Sequence, residues 1–328
     1  MGERNLWELS DLCTPWCVHV AATLRVADRI AEGTTHIDQL AAACDAHADS
    51  LQRVLRHLVR KGIFEETSPG MFALNDTARG LLELPIQLGL DLDHFGGRMA
   101  NAWGSLLAAV RTGTPSYHTV FGRPFWEDLE AHREIAESFD ALMGPGHGRP
   151  DPDILCNRNQ WSSIRTVVDV GGGTGTLLIE ILSAHPEVRG ILVDLPRTVS
   201  RAAEKFREAG VQERARTSAQ SFFEPLPAGA DLYLLKSVLA DWPDREAGLI
   251  LKRCAEAARP SGRVVLLNGV SPDDDKPADP SILMMLLVGG KERSLSEFRS
   301  LAGRSGLEVS ATERQQSGWF IVECRALL

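Results

Sequence analysis

No run of 18 apolar residues occurs in the 328-residue sequence, so no membrane-spanning helix is expected. The opening MGERNLWELSDLC has no basic stretch leading into an apolar run, so no signal peptide is expected. Leu6 breaks the myristoylation pattern that Gly2 would begin. Positive charge is in deficit: 35 Lys and Arg face 44 Asp and Glu, giving a formal charge of −9. That balance argues against nucleic acid or an anionic membrane as the main partner. None of the cysteines (13, 17, 44, 156, 254, 324) forms a CxxC pair. Cys13 and Cys17 are spaced to share a helix face, but two thiols alone do not make a zinc site, and no metal is expected. Buried thiols in a reducing compartment, the cytoplasm, are the simpler reading. Internal repeats and low-complexity segments are also missing.

What is present has ordinary globular composition, at 44% hydrophobic and 24% charged, and a length that suggests two domains or one large domain with an appendage. Residues 10–32 read as one amphipathic helix carrying Val18, Ala21, Leu24, Val26 and Ile30 on one side. Short helices at 38–44 and 50–61 follow, the second ended by Gly62. IFEET, SPG and MFALN then read as strand, turn and strand. Helices followed by a β-hairpin in this order predict a winged helix. Residues 78–145 look mainly helical and aromatic, and MGPGHGRPDPD at 143–153 reads as a loop or linker. Beyond it, TVVDVG, GILVDLP, RARTSAQ, ADLYLLK and GRVVLLNGV alternate with helical periods, including 244–258. That alternation predicts a doubly wound parallel sheet covered on both faces, closed by a strand pair from LEVSATERQ and WFIVECRAL.

The turn after the first of these strands reads Asp169-Val170-Gly171-Gly172-Gly173-Thr174-Gly175. Glycines let a backbone approach a ligand closely and open the following helix, whose N-terminus faces that ligand. The second strand ends in Asp194, nineteen residues past Gly175, where an acid can accept hydrogen bonds from ribose hydroxyls. A dinucleotide fold would want glycine where Thr176 stands. The shorter G-x-G-x-G form suits a ligand without pyrophosphate, such as S-adenosylmethionine. Asp169 fits that ligand, since its carboxylate can anchor an ammonium and would repel phosphates.

On VVDVGGGTGTLL, VDLP, SFFEPLP, LLKSVLADWPD and GGKERSLSEF, the chain resembles bacterial small-molecule O-methyltransferases of the caffeate, acetylserotonin and carminomycin type. The resemblance implies a Rossmann-like class I methyltransferase domain at 156–328. A helical linker and substrate region would occupy 81–155, and a winged-helix dimerisation domain 1–80. It implies a homodimer that consumes S-adenosylmethionine, releases S-adenosylhomocysteine and acts on a small aromatic substrate of specialised metabolism, such as antibiotic biosynthesis. Asp169, Gly171 and Gly173 would hold the methionine end, Asp194 the ribose, and Phe222 the adenine. Ser221 stands where the family usually has an acid, and Lys236 matches a position beside the cofactor.

The family's usual base, a histidine before Asp241-Trp242, is here Ala240. One glutamate that supports it aligns with Asn268, and a second is present as Glu292. A general base contributes about 10²–10⁴-fold in rate, whereas positioning supplies about 7–11 kcal/mol, so orientation can carry the reaction. Asp241 and His147 are candidate bases, with His94 and His118 as further histidines. Candidates for the substrate wall are Trp103, Phe121, Phe125, Trp126, Met143, Trp242, Met284 and Met285, whose rings and thioethers suit a flat ligand. Three alternatives stay open. They are transfer to carbon or nitrogen, use of the cofactor without methyl transfer (hydroxylation, decarboxylation or pericyclic chemistry), and a DNA-binding regulator reading through Arg53, Arg56, Arg60 and Lys61.

Overall fold

The computed structural model describes residues 5–143, 153–273, 282–316 and 318–327. His147 therefore lies outside the described residues. No described helix is long and apolar enough to cross a membrane. The chain divides into two compact units, residues 1–101 with 132–142, and residues 102–131 with 143–328.

In the first unit the apolar stripe of residues 10–32 is borne by two helices, Cys13–Thr23 and Val26–Ala31, rather than by one. Arg25 between them is left-handed, with φ 55°, which stops the helix and re-aims the chain. The stripe survives the break because Ala21, Ala22, Val26, Ala27 and Ile30 all enter the same core. Helices Ile37–Ala43 and Ala48–Arg60 add Leu40, Leu51, Leu55 and Leu58 to it. The hairpin Glu65–Ser68 and Met71–Ala73 contributes Phe72, whose N–H donates to Thr35 O at 3.0 Å. Helix, helix and wing thus follow in the expected order. Helix Arg133–Leu142 returns to this unit, where Phe139 packs edge-on to Phe95 at 5.0 Å and Ser138 Oγ accepts from Phe95 N at 3.0 Å.

The second unit is built on a seven-stranded sheet: β1 (Thr166–Val170), β2 (Arg189–Asp194), β3 (Ala215–Ala219), β4 (Leu232–Lys236), β5 (Arg263–Leu267), β6 (Leu307–Arg314) and β7 (Phe320–Ala326). Their spatial order is β6-β7-β5-β4-β1-β2-β3. The first five strands are parallel, while β7 runs antiparallel to both β5 and β6. Alternate residues face opposite sides. Val168 and Val170 join Tyr233, Leu235, Val264 and Leu266 in a core covered by helices Asp244–Ala258 and Leu295–Arg304. Val167 joins Leu232, Leu234, Val265 and Leu267 under helices Thr176–Ala184 and Pro196–Glu208. Burial on both faces explains why these strands read as unbroken apolar runs rather than as alternating ones. From β1 the chain steps to β2 and β3 on one side and then crosses back to β4 on the other, so the sheet opens a crevice at the carboxyl ends of β1 and β4.

Candidate active site

Three loops leave the sheet at that crevice. The first is the glycine turn after β1. Gly171, Gly173 and Gly175 have φ of 68°, 62° and 80°, the left-handed region that other residues enter at a cost. Gly172 is needed for space, because a Cβ there would run into the Asp169 carboxylate. A Cβ on Gly171 would lie 2.9 Å from Val238 and 3.3 Å from Phe222. A Cβ on Gly173 would meet no described atom within 4 Å, so that open side is where a ligand can reach the backbone.

Asp169 shares a sheet face with Val167 and is only 1% exposed. Both of its carboxylate oxygens are buried and find no hydrogen-bond partner among the described residues. Burial pushes its pKa up to about 7; nearby Lys236 opposes the rise and nearby Asp194 adds to it. An orphaned carboxylate beneath a glycine turn is the chemistry that a ligand ammonium would satisfy.

Asp194 ends β2 and is held by the same turn. Its Oδ2 accepts from Gly173 N at 2.8 Å and its Oδ1 from Leu195 N at 2.7 Å. A carboxylate oxygen can accept more than one hydrogen bond, so its chemistry suits a ribose hydroxyl. Ser221 is spent locally, its Oγ accepting from Phe223 N at 3.3 Å. Phe222 packs edge-on to Trp242 at 5.8 Å. Lys236 ends β4, with Nζ 5.5 Å from the centre of the Trp319 ring. These residues fit a nucleoside carrying an amino-acid tail.

The third loop, after β4, carries the departure from the usual base. Ser237 and Asn268, at the ends of β4 and β5, are both left-handed, with φ of 55° and 69°. Asn268 Nδ2 donates to Ser237 Oγ at 3.3 Å, joining two strained positions beside the crevice. Between Ser237 and Trp242, Leu239–Asp241 form one 3₁₀ turn. Burial pushes the Asp241 carboxyl up to about 7. Glu292, by contrast, is exposed.

Aromatic rings gather next to this loop. Trp126 stacks on Trp242 at 6.2 Å with planes 21° apart, and Phe125 meets Trp126 edge-on at 4.8 Å. Tyr117 links Phe121 to Phe125, at 4.5 and 5.3 Å, and its hydroxyl donates to buried Asp128 at 2.7 Å. Met284 and Met285 are half-buried on helix Ile282–Val288, whose end donates from Gly290 N to Met284 O at 3.3 Å. Trp103 and Met143 are instead 45% and 47% exposed. His118 is exposed, and His94 belongs to the first unit, where it faces Asp91 at 3.2 Å.

Two residues that sequence reasoning passed over hold the 3₁₀ turn in place. Arg293 is 1% exposed and donates to Leu239 O at 2.9 Å, Trp242 O at 2.8 Å and Asp244 Oδ1 at 3.0 Å. Gly290 packs on the Ala240–Asp241 backbone so closely that a Cβ would collide with Ala240 O. Both lie in GGKERS, and a basic residue so near a glycine pair was the available signal. The cations of the winged unit are largely paired: Arg53 with Asp49 at 2.8 Å, Arg56 with Glu66 at 2.9 Å and Lys61 with Asp11 at 3.2 Å.

Comparison with known proteins agrees with this geometry. The profile of the O-methyltransferase domain matches residues 103–308, and that of the O-methyltransferase dimerisation domain matches residues 7–83. The chain is 41% identical over 318 residues to 2,7-dihydroxy-5-methyl-1-naphthoate 7-O-methyltransferase of Streptomyces carzinostaticus, covering 95% of this chain and 96% of the relative. It is 38% identical over 324 residues to aclacinomycin 10-hydroxylase RdmB of Streptomyces purpurascens, covering 94% and 85% respectively. The crystal structure of the O-methyltransferase NcsB1 from neocarzinostatin biosynthesis holds S-adenosylmethionine and 2-hydroxy-5-methyl naphthoic acid. It matches with a TM-score of 0.90 at 39% identity, covering 100% of both chains.

Proposed function

The chain belongs to the O-methyltransferase family, and on that premise we propose that it methylates the hydroxyl of a fused-ring aromatic acid using S-adenosylmethionine. The carrying observation is the orphaned Asp169 carboxylate beneath the glycine turn, with Asp194 on one side and the Trp126–Trp242 stack in the same unit. When bound, S-adenosylmethionine supplies an electrophilic methyl carbon and departs as S-adenosylhomocysteine. Asp169 receives the ammonium, Asp194 the ribose hydroxyls, and Phe222 one face of the adenine. Phe121, Trp126, Trp242, Met284 and Met285 confine the acceptor ring, so orientation replaces the missing histidine as the main source of rate.

Asp241 takes the acceptor's proton. Its raised pKa suits this task, because a base works best when its pKa lies near the working pH. Activity then rises with pH through about 7, as Asp241 ionises. Asp241→Asn lowers kcat by about 10²–10⁴-fold and flattens that rise. A variant with kcat near wild type and an unchanged profile shows that positioning alone suffices.

Apolar side chains stand exposed at the start of the first unit, among them Trp7 at 85%, Leu12 at 75% and Leu9 at 62%. They support a homodimer formed by this domain. Six free thiols suit work in the cytoplasm. The test of the whole reading is incubation with S-adenosylmethionine and a hydroxynaphthoic acid. Equimolar methyl ether and S-adenosylhomocysteine are expected. Turnover of an aromatic acceptor without S-adenosylhomocysteine would instead favour chemistry of the hydroxylase relative's kind.

A further inference from the structure

A cluster of soft donor atoms lies in the first unit, on residues that the cofactor loops and the aromatic wall do not use. Cys13 and Cys17 sit one turn apart on helix Cys13–Thr23, with Sγ atoms 3.8 Å apart. His57, from helix Ala48–Arg60, completes a group whose three donor atoms all lie within 4.8 Å of one another. We propose that Cys13, Cys17 and His57 bind one divalent metal ion of the zinc class, with a fourth position open to water.

Geometry and donor chemistry both carry this. Two thiolates on a tetrahedral zinc, with bonds of about 2.3 Å, stand about 3.8 Å apart. The sulfurs already have that spacing. A thiolate and an imidazole on the same ion stand about 3.6 Å apart, so the ring needs to move by about 1–1.5 Å at most from its present distance. Two sulfurs and one imidazole are a zinc-type donor set, whereas magnesium and calcium take oxygen. Cys13 is exposed, and Cys17 and His57 are half-buried, so an ion can enter from solvent.

The ring is also held in place by a chain of polar contacts. His57 Nε2 lies 2.8 Å from Thr14 Oγ1, and that hydroxyl meets Asp11 Oδ2 at 2.5 Å. Lys61 Nζ in turn holds Asp11 at 3.2 Å. A carboxylate and a hydroxyl aligned on an imidazole are the kind of outer contacts that fix a metal-binding histidine. Metal would pin helix Cys13–Thr23 to helix Ala48–Arg60, bracing the first unit.

The test uses the full-length, reduced, metal-free chain titrated anaerobically with Co²⁺ and then Zn²⁺. One equivalent of cobalt should give a thiolate charge-transfer band and tetrahedral ligand-field bands, which zinc removes. Cys13→Ser and Cys17→Ser should each at least halve the charge-transfer band, the double variant should abolish it, and His57→Gln should weaken binding more than tenfold. Cys44→Ser should leave the titration unchanged. Thr14→Val, which keeps all three donors, should weaken affinity by about 10-fold with an unchanged circular dichroism spectrum. Zinc should raise the melting temperature of the wild type but not of the two serine variants. Absence of the cobalt bands at one equivalent, or their survival in a C13S/C17S double variant, would overturn the proposal. So would a Cys13–Cys17 disulfide that, once reduced, still takes up no metal.

Discussion

Gly172 and Gly173 sit side by side in one turn, yet they resist substitution for different reasons. Gly172 is closed by the carboxylate below it, and Gly173 by its left-handed backbone angle and, on the proposed reading, by the ligand on its open side. Gly173→Val should abolish S-adenosylmethionine binding in calorimetry while leaving the far-ultraviolet spectrum unchanged. Unchanged affinity would remove the turn from the site. Gly172→Ala should push the Asp169 carboxylate aside and cost both affinity and stability. Asp169 carries a second expectation, this one in pH. Its folded-state pKa, about 7, lies above the unfolded value, so its stabilising contribution is whole below pH 3.8 and is lost as pH rises through about 7. Between pH 5 and 8 the ligand-free protein should lose on the order of 2 kcal/mol from this group. Asp169→Asn should remove that loss, and urea unfolding at the two pH values measures it. The same variant should bind cofactor more weakly, so a buried carboxylate would be kept for binding at the expense of stability.

At the scale of elements, the turn Leu239–Asp241 depends on a side chain more than fifty residues further along the chain. Arg293 satisfies carbonyls at both ends of that turn and has no bulk water to replace it. Arg293→Met should cost about 2–4 kcal/mol through the unmet carbonyls. It should also lower kcat by displacing Asp241 and Trp242, with little change in the KM for S-adenosylmethionine. Equal losses in both constants would show that the clamp serves the whole domain.

This contrast marks what the sequence could disclose. The sheet was legible because every parallel strand but the edge strand β3 carries an apolar run closed by a turn, and the glycine loop because its residues are adjacent. Asp194 was legible because the distance from a βα turn to the next strand end is nearly fixed. Arg293, Gly290 and the Ser237–Asn268 pair were not, because their meaning lies in contacts between strand ends far apart in sequence. Arg25 was missed for another reason: hydrophobic period does not register a helix break when both halves feed one core. The exposure of Trp103 and Met143, proposed for the ring-binding wall, was likewise not legible, because aromatic or thioether character says nothing of burial.

At the scale of the molecule, the stability of the first unit draws on helix Arg133–Leu142 as well as on its own 101 residues. A chain beginning at residue 102 should therefore expose the face of that helix that carries Phe139 and Ser138. It should bind a hydrophobic dye and unfold at lower urea than the full-length protein. Equal stability would show that the helix needs no partner.

The same arrangement limits how the protein can be recombined. The matched dimerisation segment ends at residue 83 and the matched methyltransferase segment begins at 103, as though a single seam separated two modules. The units themselves are interleaved, and the chain passes from one to the other at three points. Exchanging the amino-terminal part with a homologue at one junction would set a foreign Phe95 partner against the native Phe139. Hybrids in this family should therefore succeed when the junctions are paired, so that 1–101 and 132–142 travel together from one parent.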